Sequence, residues 1–103
     1  MQSFYELIKG NKPVLVDFFA EWCEPCKAMP PILKEVKSAV GDAATIIKID
    51  IDKAPQVARQ YGIQAVPTLA IFKEGKIVWK QSGVRPASEI KKSLQSFVHE
   101  KTL

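Results

Sequence analysis

The chain has 103 residues, enough for one domain and too few for two. It is 47% hydrophobic and 25% charged, which suits a soluble globular protein with a single core. Its formal net charge of +4 is spread out, with no stripe of Lys and Arg among exposed aromatics, so nucleic acid is a poor partner.

No apolar run approaches the roughly 20 residues of a membrane span. The first thirteen residues show no basic segment followed by an apolar one, as a secretion signal would. A cytoplasmic protein is therefore expected, the alternative being a mature exported form with an added Met1. In chain order, Ser3 and Glu6 have capping-box spacing, Phe4, Leu7 and Ile8 make an apolar face, and Gly10 ends a short helix. Val14–Phe19 (VLVDFF) reads as a strand buried on both faces, with Asp17 its one polar member. A long helix is expected after Cys23, carrying Met29, Ile32, Leu33, Val36 and Val40 at helical spacing. Gly41 ends it, and Pro30 and Pro31 should kink it. Thr45–Ile51 (TIIKIDI) is a second strand. Asp52 is placed to cap a short helix that stops at Gly62. Thr68–Phe72 and Ile77–Gln81 flank the turn Lys73–Lys76 as a hairpin. A last helix from Pro86 should bury Ile90, Leu94, Phe97 and Val98, with Trp79 beneath it. The order implies a three-layer α/β sandwich with helices on both faces of a mixed sheet.

Two cysteines, Cys23 and Cys26, are too few for a disulfide scaffold. A lone histidine, His99, leaves no complete zinc set within the chain. Set where a buried strand gives way to a helix, the pair Cys23-Glu24-Pro25-Cys26 reads as a redox centre. Cys23 falls at the N-cap, where free N–H groups and the helix dipole favour a thiolate. Cys26 lies one turn on, on the same face, and is expected to be the more interior. Pro25 is tolerated because the first turn needs no N–H from it. A structural disulfide and half of an intermolecular metal site are the competing readings of the pair.

The segment Val16–Lys27 (VDFFAEWCEPCK) resembles the active-site signature of the thioredoxin family. It departs at Glu24, where the family usually has Gly, and at Phe19, often Trp. Pro31, Asp52, Tyr61-Gly62-Ile63, Val66-Pro67-Thr68, Phe72-Lys73-Glu74-Gly75 and Gly83 follow in family order and spacing. The family commonly has a further strand before the first helix. Its lack here leaves four strands, with Thr45–Ile51 as an exposed edge on which Lys48 would deter pairing.

The resemblance implies roles. Cys23 would be the nucleophile and Cys26 the resolving thiol. Asp17 would take and return the proton of Cys26, consistent with a buried carboxylate whose pKa is raised, with Lys48 as the basic residue nearby. A hydrogen-bonded structural role is the alternative for Asp17. Pro67 would be cis, although from the residues alone a trans proline opening a strand is favoured. The backbone of Val66 would then pair with an extended substrate, with Gly83 alongside and Trp22 as an apolar rim for target proteins. Glu24 and Pro25, in the spacer, would tune the potential.

The function so implied is reduction of protein disulfides by a monomer that needs no bound cofactor or metal. Its electrons would come from an NADPH-dependent thioredoxin reductase. The rivals are an oxidase or isomerase of the same fold, a redox-independent binding subunit, and a metal cluster shared across a dimer.

Overall fold

The computed structural model describes residues 2–98; His99 lies outside them. The elements run α1 (Gln2–Ile8), β1 (Val14–Phe19), a 3₁₀ turn (Pro25–Ala28), α2 (Met29–Val40), β2 (Thr45–Asp50), α3 (Pro55–Gln60), β3 (Thr68–Lys73), β4 (Lys76–Ser82) and α4 (Ala87–Val98). The sheet order is β2-β1-β3-β4. β2 runs parallel to β1, and β3 is antiparallel to both β1 and β4.

Alternation along β1 sends its residues into two cores. Val14, Val16 and Phe18 pack with Phe4 and Ile8 of α1 and Val57 and Ala58 of α3. Leu15 packs on the other face with Met29, Leu33, Val36 and Val40 of α2 and Ile90 and Leu94 of α4. Asp17 and Phe19 share the face of Leu15 but lie beyond the reach of its core, at the C-terminal end of the strand. That position is where the site forms.

Several expectations need correction. α1 already includes Ser3, so Ser3 does not cap it, and Leu7 is 39% exposed rather than part of the core face. The helix after Cys23 is broken, not kinked. A 3₁₀ turn covers Pro25–Ala28, and the α-helix starts at Met29. Pro30 and Pro31 thus fall in the first turn of α2, where no N–H is needed. Asp52 caps nothing: α3 begins after Ala54 with no side-chain cap. Phe97 and Val98 are only half-buried.

The β3–β4 hairpin turns on Glu74 and Gly75, both at positive φ (54° and 82°), as a two-residue turn matched to strand twist requires. A bulge between the pairs Ile71–Trp79 and Phe72–Ile77 leaves Val78 unpaired and breaks the alternation. Ile77 consequently packs on the α1/α3 core and Trp79 on the α2/α4 core, two residues apart yet on opposite faces.

Candidate active site

β1 ends at Phe19, and the chain turns through Ala20-Glu21-Trp22 into the 3₁₀ turn. The Cys23 N–H closes this turn on the Ala20 carbonyl at 3.2 Å. Cys23 and Cys26 are joined in a disulfide. The Cys26 N–H points at Cys23 Sγ at 3.2 Å, so a first-turn donor does reach that sulfur, although the formal N-cap is Glu24. Such a donor favours a thiolate on Cys23 once the pair is reduced.

Burial does not distinguish the cysteines in the expected way. Cys23 is 3% and Cys26 6% exposed, so Cys26 is not the more interior. Both pack with Ala20, against Phe19, Ile51 and Val66. Besides the Cys26 N–H, Cys23 Sγ has a neighbour in the Val66 carbonyl oxygen, 3.6 Å away.

The Val66–Pro67 peptide is cis, as the resemblance implies. The Gly83 N–H donates to the Pro67 carbonyl at 2.8 Å. The Thr68 hydroxyl donates to the Ala65 carbonyl at 2.6 Å and meets the Ser82 hydroxyl at 3.0 Å. The start of β3 and the end of β4 are thereby fixed next to the disulfide, and Val66, Pro67 and Gly83 come together there.

Trp22 is 70% exposed, a large apolar surface beside Cys23. Its indole Nε1 donates to Asp52 Oδ2 at 2.8 Å. Asp52 is in turn held by its own N–H, which donates to Asp50 Oδ1 at 2.9 Å. Sequence reasoning missed this partnership by giving Asp52 a capping role, and no local pattern signals a bond across 30 positions. Glu24 is exposed and pairs with Lys27 at 3.2 Å.

Behind the disulfide, a cleft of about 250 Å³ is lined by Asp17, Phe19, Cys26, Lys27, Pro30 and Lys48, among others. Asp17 is 2% exposed, and its Oδ1 has no hydrogen-bond partner among the described residues. Burial pushes its carboxyl up to about 6, against the Lys48 charge, which acts to lower it. A group near that value can hold or release a proton around neutral pH. Lys48 stands opposite Asp17 in the β1–β2 register, but its ammonium sits 5.0 Å from the centre of the Phe19 ring. Among the described residues, no three of His, Cys, Asp and Glu gather to hold a metal.

The thioredoxin family model matches residues 1–96. A thioredoxin-like protein of Synechocystis is 47% identical over 97 residues, covering 93% of this chain and 92% of its own. The thioredoxin of Alicyclobacillus acidocaldarius is 41% identical over 92 residues, or 89% and 88% of the two chains. Among solved structures, a thioredoxin of Malassezia sympodialis superposes with a TM-score of 0.86 at 32% identity, over 94% of this chain and 84% of that one. A disulfide-forming Cys-X-X-Cys pair at the strand-to-helix turn, set in this fold and among these relatives, marks a thiol–disulfide oxidoreductase, and the chain belongs to the thioredoxin family.

Proposed function

We propose that the protein reduces disulfides of other proteins, with Cys23 attacking and Cys26 resolving. The observation that carries this reading is the placement of Cys23 Sγ, 3.6 Å from the Val66 carbonyl and beside the exposed Trp22. An extended substrate segment lying along the Val66 backbone, between Trp22 and Gly83, brings its disulfide to Cys23.

In the reduced protein, the Cys23 thiolate attacks one substrate sulfur. The substrate S–S bond breaks, a mixed disulfide forms, and the other substrate sulfur leaves as a thiolate. The Cys26 thiol gives its proton to Asp17 across the cleft and attacks Cys23 Sγ. The second substrate sulfur departs and the Cys23–Cys26 bond closes. Two electrons pass from the protein to the substrate, and no bound cofactor takes part. Lys48, lining the same cleft, favours the charged carboxylate of Asp17 that accepts this proton. Glu24 and Pro25 set the thiolate balance of the spacer.

Thioredoxins are returned to the dithiol state by thioredoxin reductase. For this chain the donor is an NADPH-dependent one, and the site of action the cytoplasm. Lys48 on the open edge of β2 discourages strand pairing between copies and supports a monomer.

A titration of the reduction potential, run with reduction by NADPH and a thioredoxin reductase, tests the direction of flow. A potential near that of thioredoxin, about −270 mV, with full reduction by the coupled donor is expected. A potential near those of disulfide isomerases or oxidases, together with no reduction by the reductase, would overturn the reductase reading.

A further inference from the structure

Asp17 and Lys48 are partners in register on adjacent parallel strands, yet they make no ion pair. Asp17 Oδ1 is buried and unpartnered, while the Lys48 ammonium lies over the ring of Phe19, 5.0 Å from its centre. Phe19 is two residues beyond Asp17 on β1 and therefore on the same face of the sheet. Both line the cleft that reaches Cys26.

We infer that Phe19 is a positioning residue: its ring face holds the Lys48 ammonium by a cation–π contact and so keeps it off the Asp17 carboxylate. An aromatic face attracts a cation within about 6 Å of its centre. The ring thus competes with the carboxylate for one ammonium. Were the ammonium to close on Asp17, the charged form would be favoured and the carboxyl would return toward the ordinary range. Parked on Phe19, Lys48 lowers Asp17 only in part, and burial keeps it near 6. The inference rests on the proposed part of Asp17 in proton transfer for its consequence in turnover, but the positioning itself does not depend on that part.

Among the described residues, the charged and titratable groups that line the cleft with Asp17 are few. Lys48 comes from β2, Cys26 and Lys27 from the 3₁₀ turn, and Cys23 and Glu21 from the preceding loop. From β3 the register neighbour is Leu69, which carries no charge. Lys27 is drawn toward Glu24 and Glu21 toward Lys53. Lys48 is therefore the one cation opposite Asp17 whose position the ring of Phe19 decides.

The test reads the Asp17 carboxyl carbon by NMR across a pH titration of the oxidised protein, in which neither cysteine titrates. Phe19→Leu keeps apolar bulk and removes the ring face. Its Asp17 midpoint should fall by about half a pH unit or more as the ammonium closes on the carboxylate. Lys48→Met should raise the midpoint. In the Lys48→Met background, Phe19→Leu should leave the midpoint where Lys48→Met put it. A fall that persists there would mean that water entering the cleft, not Lys48, moves Asp17, and would overturn the inference. So would no change, or a rise, on Phe19→Leu alone. If Phe19→Leu does not fold, Phe19→Trp gives the second reading. A larger ring face should hold the midpoint at or above its present value, and a fall would overturn the assignment. Loss of the proton role of Asp17 is seen separately, as unchanged turnover in Asp17→Asn.

Discussion

Trp22 and Asp52 are joined across the active-site rim by a 2.8 Å hydrogen bond from indole Nε1 to a carboxylate oxygen. The bond fixes which way the exposed indole faces. A large aromatic already held in one orientation loses little freedom when a partner docks on it. Asp52→Ala should therefore weaken docking more than folding. The expected result is a KM for a protein disulfide raised severalfold with kcat little changed, and a stability loss below about 1 kcal/mol, as for an exposed bond. Asp52→Asn, which keeps an acceptor, should recover much of the KM. Steady-state kinetics with a protein disulfide and with a small one check this, since the small substrate should be indifferent to Asp52.

The cysteines should differ in reactivity although they are equally buried. Cys23 Sγ receives the Cys26 N–H at 3.2 Å, and a donor there stabilises a thiolate. Alkylation of the reduced protein at neutral pH, followed by peptide mapping, should label Cys23 first. Equal labelling, or Cys26 first, would reverse the assignment of nucleophile.

Asp17→Asn should make the protein more stable at pH 7 and slower in turnover. The carboxyl stands at about 6 in the folded protein against 3.8 for its ordinary value. The folded state therefore binds more protons than the unfolded state between those values. Stability from this group is greatest below about pH 4, falls as pH rises through 6, and is lowest above it. The loss is at most about 3 kcal/mol, less the hydrogen bonds that an unpartnered amide would lack. Thermal unfolding of the oxidised protein from pH 4 to 8 should show the decline in wild type and a flatter profile in the variant. Disulfide reduction with a saturating donor should slow about ten-fold or more. Unchanged turnover would leave Asp17 only a structural part.

Much of this architecture is legible in the residues. VLVDFF announces a strand buried on both faces, and its single carboxylate marks the site. The pair of cysteines at the strand's end marks the chemistry. What the residues hide is tertiary. Asp52 carries a good capping side chain, yet Asp50 bonds the Asp52 N–H and the indole of Trp22 takes its carboxylate. Ile77 and Trp79 read as one face of a strand until the bulge separates them. Pro30 and Pro31 suggest a kink because the 3₁₀ turn before Met29 leaves no periodic signal of its own. The deciding neighbour is distant in sequence for Asp52, and the deviation is a single residue at the bulge and a single short turn before Met29.

The spacer charges give the last prediction. Glu24 lies next to Cys23 and opposes a thiolate there, while Lys27 favours one. The two are paired at 3.2 Å, with their side chains 84% and 66% exposed. In water-like surroundings a single such charge contributes below about 1 kcal/mol, and the pair partly cancels. Neutralising either one should thus expose the other. Glu24→Gln leaves Lys27 unopposed, stabilises the thiolate of the reduced form, and makes the potential less negative. Lys27→Gln leaves Glu24 unopposed and makes it more negative. Each shift should be at most about 20 mV in a two-electron couple. The double variant should return near the starting value. Both single-variant shifts should shrink at high salt, because both side chains are exposed. Equilibration against a glutathione buffer at low and high ionic strength measures them. If both single variants move the potential the same way, charge does not control the spacer, and the backbone geometry around Pro25 does.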